Sequence, residues 1–285
     1  MATSYLCLLL VAAALHATWN LLLKRTPERD LLILTALAVS SLVFLPLLAL
    51  RPAIGLFGWS VALVSGVVEL AYFVLLLGAY GVGDFSVVYP IARGAAPAML
   101  AVWSIVFLGE RPLVGGAAGI ALIVGGLMLV GYTSAAGRVR SLLRPARGAG
   151  LALAVALLVS VYSIIDGAAV KHVDPVAYAV AMFVWTTVLL LCFARRRYGW
   201  RRLVSAAYGQ PATVVGVGLL QCLSYMAVLY VYSRAPVSYA GAIRESSIVL
   251  GAIAGWLWLG EGFGARRVAG AALMFLGVAL IALTG

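Results

Sequence analysis

Apolar runs of about 20 residues recur from end to end of the chain, at roughly 5 to 23, 31 to 50, 57 to 80, 84 to 108, 113 to 132, 148 to 169, 175 to 194, 212 to 233, 236 to 259 and 267 to 284. A helix rises about 1.5 Å per residue, so each run can cross a hydrocarbon core about 30 Å thick. The breaks between runs are short and hold most of the charge. This pattern predicts an all-α membrane protein of ten transmembrane helices, with no segment long enough to fold apart from the bilayer. Residues 5 to 15 have the length of a signal-peptide core, a reading that would remove the first span. No basic residue precedes them, however, and "HATWN" at 16 to 20 carries the helix onward, which favours a retained span.

Composition agrees with the pattern. The 285 residues are 65% hydrophobic and 10% charged, with a mean hydropathy of +1.11, far from the balance of a soluble domain. The three cysteines, Cys7, Cys192 and Cys222, stand in separate spans without the spacing of a disulfide or metal site. A net charge of +11 would suggest a polyanionic partner in a soluble protein, but here the cations lie beside membrane spans and imply no nucleic acid. Loops after the odd-numbered spans hold 14 of the 20 Lys and Arg, including "RVRSLLRPAR" at 138 to 147 and "RRRYGWRR" at 195 to 202, against four on the other side. Positive residues stay inside, so that face is cytoplasmic and both termini are outside. The remaining two cations, Arg93 and Arg244, fall inside spans.

The chain also repeats itself. A shift of 151 positions lays "IARGAAPAMLAVWSIVFLGE" (91 to 110) over "AIRESSIVLGAIAGWLWLGE", with Arg93 on Arg244, Gly109 on Gly260 and Glu110 on Glu261. Gly119 and Gly126 then fall on Gly270 and Gly277, and a shift of 147 nearer the front lays Lys24 on Lys171. The predicted units are residues 1 to 137, a basic linker at 138 to 147, and residues 148 to 285. Five spans per unit is an odd number, so the second unit enters the membrane from the opposite face. Two inverted five-helix repeats are the build of many secondary transporters, in which exchanging the conformations of the halves opens opposite faces in turn.

Chemistry at depth is sparse and therefore informative. Arg93 lies about nine residues into its span, near the midplane, and Arg244 reaches a similar depth from the other side. A charge there costs about 2.5 to 3.5 kcal/mol on insertion scales, so it faces a bundle interior or wet cavity and has a partner. Candidate carboxylates are Glu69, Asp166 and Glu245. Glu69 shares a face with Tyr72, Phe73, Leu76 and Tyr80, and Tyr89 lies one turn from Arg93. Further polar faces carry His16, Trp19 and Asn20, Tyr162 and Asp166, and Gln221 and Tyr225.

Two readings compete for these groups: buried ion pairs that lock helices, or the lining of a substrate cavity. On the second, Arg93, Arg244, Tyr89, Glu69, Tyr72, Trp19, Asn20, Tyr225 and Gln221 are substrate-binding candidates. His16, Glu69, Asp166 and Glu245 are candidates for proton coupling. Trp103, Trp185, Trp256 and Trp258 read as packing or interfacial anchors.

Pro90, Gly94 and Pro97 mark a hinge beside Arg93, since proline removes a backbone donor and clashes one turn back. In the second half Gly241 stands in place of Pro90, and Ser246 or its neighbour in place of Gly94, which predicts a weaker kink there. Spans five and ten are rich in glycine and alanine, a composition that lets backbones approach within one chain or in a homodimer. Glu110 and Glu261 each precede the next helix, where a carboxylate suits the helix dipole.

The ten spans, the two halves, "HATWNLLLK" at 16 to 24 and an "LGE" closing both span four and span nine resemble the drug/metabolite transporter superfamily, specifically its EamA-type ten-helix carriers. The resemblance implies an exporter of amino acids or other small metabolites, with a central cavity lined by the first four helices of each half and helices five and ten at the periphery. A lipid-linked sugar flippase is the alternative on the same fold. Two distant histidines, no metal-ligand cluster and no phosphate-binding loop argue against an enzyme and against an ATP-driven pump, and no cofactor is expected. The expected partners are a small-molecule substrate and membrane lipid, in a bacterial inner membrane.

Overall fold

A computed structural model of the chain describes residues 1–24, 26, 28–82, 85–135, 145–251, 253 and 265–284. The side chains of residues 77–91 and 130–149 lie outside the description, Tyr80, Tyr89 and Pro90 among them, and so do Trp256, Trp258 and Glu261. The described residues form helices and no strand: α1 (Thr3–Lys24), α2 (Arg29–Phe44), α3 (Leu47–Leu50), α4 (Gly55–Val82), α5 (Phe85–Leu108), α6 (Val114–Ala135), α7 (Pro145–Ala169), α8 (Pro175–Tyr198), α9 (Trp200–Gly209), α10 (Pro211–Tyr232), α11 (Val237–Arg244) and α12 (Ala265–Thr284). Large apolar side chains such as Leu42, Leu56, Phe107 and Val114 stand exposed on the outside, as a lipid-facing surface requires.

Local chemistry accounts for where the helices begin and end. Pro46 splits the second apolar run into α2 and α3, and the N–H groups of Leu48 and Ala49 reach back only three residues there. Asp174 caps α8 by accepting from the N–H of Val176 at 3.1 Å and of Ala177 at 2.8 Å, with Pro175 in the first helical position. Gly109 at φ 66° and Gly199 at φ 80° occupy the left-handed region that favours glycine, and each turns the chain sharply out of a span.

One element went unpredicted. The basic break at 195 to 202 does not simply join two spans; it leads into α9, which buries Leu203 while Arg201, Arg202 and Tyr208 remain exposed. The two halves also differ at the matched arginines. α5 runs as one helix through Pro90, Gly94 and Pro97, whereas α11, which lacks prolines, stops after eight residues at Arg244. The N–H groups of Glu245 and Ser246 bond to Ala242 and Ile243, a tight three-residue step, before helix resumes at 247–251. Gly241, Ser246 and Ser247 are weak helix formers, and the buried charges of Arg244 and Glu245 are held by their partners, so the backbone yields there.

Inverted symmetry is visible in the packing. α1 packs on α10 as α7 packs on α4; α2 packs on α10 as α8 packs on α4; α5 packs on α7 as α11 packs on α1. The axis itself passes through the pairs α2 with α8 and α6 with α12. In the second pair a Cβ on Gly119 would meet Gly277 O at 2.7 Å, and one on Gly126 would meet Gly270 O at 2.5 Å. The 151-residue shift sends Gly119 to 270 and Gly126 to 277, so these contacts exchange under the two-fold. The glycine stripe is thus spent inside the chain, with α6 and α12 packed on one another.

Candidate functional site

Three elements bring polar side chains to one point. α5 brings Arg93, the end of α11 brings Arg244 and Glu245, and α1 brings His16. Arg93 Nη2 lies 3.3 Å from Glu245 Oε2, and Arg244 Nη2 donates to Glu245 Oε1 at 3.3 Å. One carboxylate therefore holds two guanidiniums, each oxygen facing a different repeat. Glu245 is 1% exposed and the Arg244 side chain 9%, while Arg93 is more open at 18%. Arg93 Nη2 also meets His16 Nε2 at 3.3 Å. A guanidinium can only donate, so Nε2 is the acceptor in that contact and carries no proton there.

Of the three candidate carboxylates, Glu245 is the one that meets Arg93. Glu69 is turned toward α8 and accepts from Thr186 Oγ1 at 2.7 Å. Asp166, fully buried, is held by two phenols, Tyr178 Oη to Oδ1 at 2.7 Å and Tyr225 Oη to Oδ2 at 2.5 Å. A chain of aromatic rings leads away from Asp166 through Tyr225: Tyr72 and Tyr162 lie 6.1 Å apart, Tyr162 and Tyr225 6.3 Å, Tyr225 and Phe183 6.1 Å, all edge-on.

The remaining candidates divide. Gln221 is half-buried, and its Oε1 has no hydrogen-bond partner among the described residues. Trp19 is buried among Leu32, Ala36, Val214 and Val217, with its ring edge on His16 at 4.9 Å, so it supports the histidine from behind. Asn20 Nδ2 bonds back to His16 O at 2.8 Å and is exposed. Along that face of α1, Leu9 and Ala13 are fully buried, His16 half-buried and Asn20 exposed, so access widens toward the C-terminal end of α1. Gly94 packs on the Met128 thioether of α6, and Pro97 is buried. Tyr89 and Pro90 lie outside the described side chains.

On the opposite side the two repeats are tied together by hydrogen bonds. Glu110 accepts from the N–H of Val237 and, at 3.1 Å, of Ser238, and Ser238 Oγ donates to it at 2.6 Å. Leu113 N–H donates to Tyr239 Oη at 3.0 Å, and Lys171 Nζ donates to Ala235 O at 3.1 Å. Burial holds the Lys171 ammonium below its ordinary pKa, partly offset by the nearby Glu110 carboxylate. All eight residues of α11 are buried in this packing.

Sequence reasoning missed Thr186 and Tyr178, which carry no charge in a span that reads as merely apolar, and it assigned Glu110 to the wrong helix. Trp103, read as an anchor, also ties α5 to α7 through Nε1 to Ser160 Oγ at 3.0 Å.

The model of the EamA-like transporter family matches residues 3–132 and 146–283, one match per repeat. No curated protein matches the sequence. One crystal structure of a protein superposes with a TM-score of 0.76 at 19% identity, over 99% of this chain and 98% of that one, a likeness of fold.

Proposed function

This chain belongs to the EamA-like transporter family, and from that premise we propose that it moves a small anionic or zwitterionic metabolite, such as an amino acid, out of the cell by alternating access. Membership makes it an integral, multi-pass membrane transporter; the solute class is the step argued from the site. We place it in a bacterial inner membrane, where the loop-charge bias sets its orientation.

The observation that carries the reading is two guanidiniums, one from each repeat, focused on one buried carboxylate. A carboxylate or phosphate entering beside Arg93, the more open of the two, would meet guanidinium donors from both repeats, and arginine can engage two oxygens of such a group at once. The aromatic chain from Tyr72 to Phe183 offers apolar walls for the rest of the solute. The outward direction is carried over from the resemblance to exporters of the same build.

His16 supplies a way to couple protons. Its Nε2 accepts from Arg93, so protonating that nitrogen both removes the hydrogen bond and adds a like charge beside the arginine pair. Proton arrival and release of Arg93 are therefore linked events.

The test is a thermal-stability screen of purified protein against amino acids, dicarboxylates, phosphorylated compounds and neutral sugars, since a ligand of the folded state raises its apparent stability. Anionic or zwitterionic solutes should stabilise the wild type and fail to stabilise an Arg93→Gln, Arg244→Gln double variant. Equal stabilisation of the two proteins, or a response to neutral sugars alone, would remove the assignment.

A further inference from the structure

The carboxylate of the first repeat's "LGE" reaches the other repeat. α11 begins after Pro236, which has no side-chain oxygen to cap a helix, and no side chain of its own segment caps it. The N–H groups of its first two residues would be orphaned in a buried place, because Val237 and Ser238 are both fully buried. Glu110, 127 residues earlier, fills that role with both oxygens, one to Val237 N and the other to Ser238 N and Oγ. Gly109, at φ 66°, lets the chain leave α5 at the angle that points Glu110 back across the interface.

At its other end the same eight-residue helix finishes in Arg244, followed by Glu245, the pair that meets Arg93. α11 is thus a short rod pinned at one end by a carboxylate of the first repeat and at the other through Glu245 to an arginine of the first repeat. Opening this face requires the two repeats to part at Val237 and Ser238. Holding the site together requires them to stay.

We propose that Glu110 is a positioning residue for transport: by capping α11 across the repeat interface it sets the Arg244–Glu245 end of that helix against Arg93, and it is the contact that releases when this face opens. The inference rests on the transporter reading for its role in a cycle, but its test reads the latch directly and needs no substrate. Breaking the cap should free the start of α11 while leaving the core of the bundle intact, because local openings follow the contacts that are lost.

The experiment uses full-length protein in nanodiscs, so that both faces are reachable, with Cys7 and Cys192 replaced by serine and Val237→Cys introduced. A cysteine is smaller than valine and keeps the N–H that Glu110 binds. Natural Cys222, fully buried in α10, remains as an internal control. Maleimide labelling of each cysteine is followed by peptide mass spectrometry. Glu110→Ala should raise the labelling rate at position 237 by roughly tenfold or more, the scale expected on losing charged hydrogen bonds, with Cys222 unchanged. Glu110→Gln, which keeps one acceptor oxygen, should fall between and is read by the same criterion where the alanine variant does not fold. An unchanged rate at 237, or a parallel rise at 237 and Cys222, would overturn the proposal, the second outcome by showing general loosening instead of a released latch.

Discussion

Two pairs of helices are equivalent by sequence, and only one pair is equivalent in structure. α6 and α12 cross at Gly119 with Gly277 and Gly126 with Gly270, contacts that exchange under the two-fold. α5 and α11 carry the matched arginines, yet α5 runs unbroken for 24 residues while α11 stops after eight. The position that is Gly94 in the first half is Glu245 in the second. The first pair is a scaffold, and nothing in alternating access asks it to change. In the proposed alternating-access cycle the second pair is where each state breaks the symmetry, one face closing as the other opens. α11 is the buried, broken partner, tied to the first repeat where Glu110 meets Val237.

This contrast can be broken most forcefully at Glu245. Glu245→Gln leaves two buried guanidiniums without their shared carboxylate and should cost about 3 to 5 kcal/mol, read as a large fall in melting temperature. A carboxylate or phosphate ligand that takes its place should recover part of that loss. Next, the matched arginines should not be equivalent: Arg244→Gln removes the more deeply buried charge and should destabilise by about 3 kcal/mol, with Arg93→Gln costing about half as much. Equal melting temperatures for those two variants would erase the asymmetry. The scaffold pair should behave oppositely. A Cβ on Gly126 meets Gly270 O at 2.5 Å and one on Gly277 meets Gly119 O at 2.6 Å, both backbone, so Gly126→Ala and Gly277→Ala should each cost about 1 to 3 kcal/mol and match one another. Gly94→Ala should be the mildest, within about 0.5 kcal/mol, because its Cβ meets only the flexible Met128 thioether at 3.0 Å.

Much of the fold was legible because the membrane leaves few options. Span length and apolarity located the helices, and the odd span count forced the repeats to be inverted. The glycines at 119, 126, 270 and 277 even marked which helices would pack, although not that they would pack on each other. The site was legible only as a set of residues. Which carboxylate meets Arg93 depends on how each helix is rotated about its axis, and no spacing along one helix fixes that; Glu69 turned to Thr186 and Glu245 to both arginines. Glu110 was read as belonging to its own next helix because capping is ordinarily local, whereas its donors lie in the other repeat. The break in α11 was missed because prolines were taken as the source of kinks, and here buried charge at a stretch of weak helix formers did the breaking. α9 left a signal in the spacing of Trp200, Leu203, Val204 and Ala207, one apolar helical face inside a stretch otherwise noticed for its arginines.

The central claim, that the arginine pair binds the solute that is carried, is tested most directly by counterflow in proteoliposomes. Vesicles loaded with the solute that best stabilises the wild type would be diluted into a trace of the same solute, labelled. The account predicts saturable accumulation by the wild type and none by the Arg244→Gln variant reconstituted to the same density of folded protein. Undiminished accumulation by that variant would contradict it.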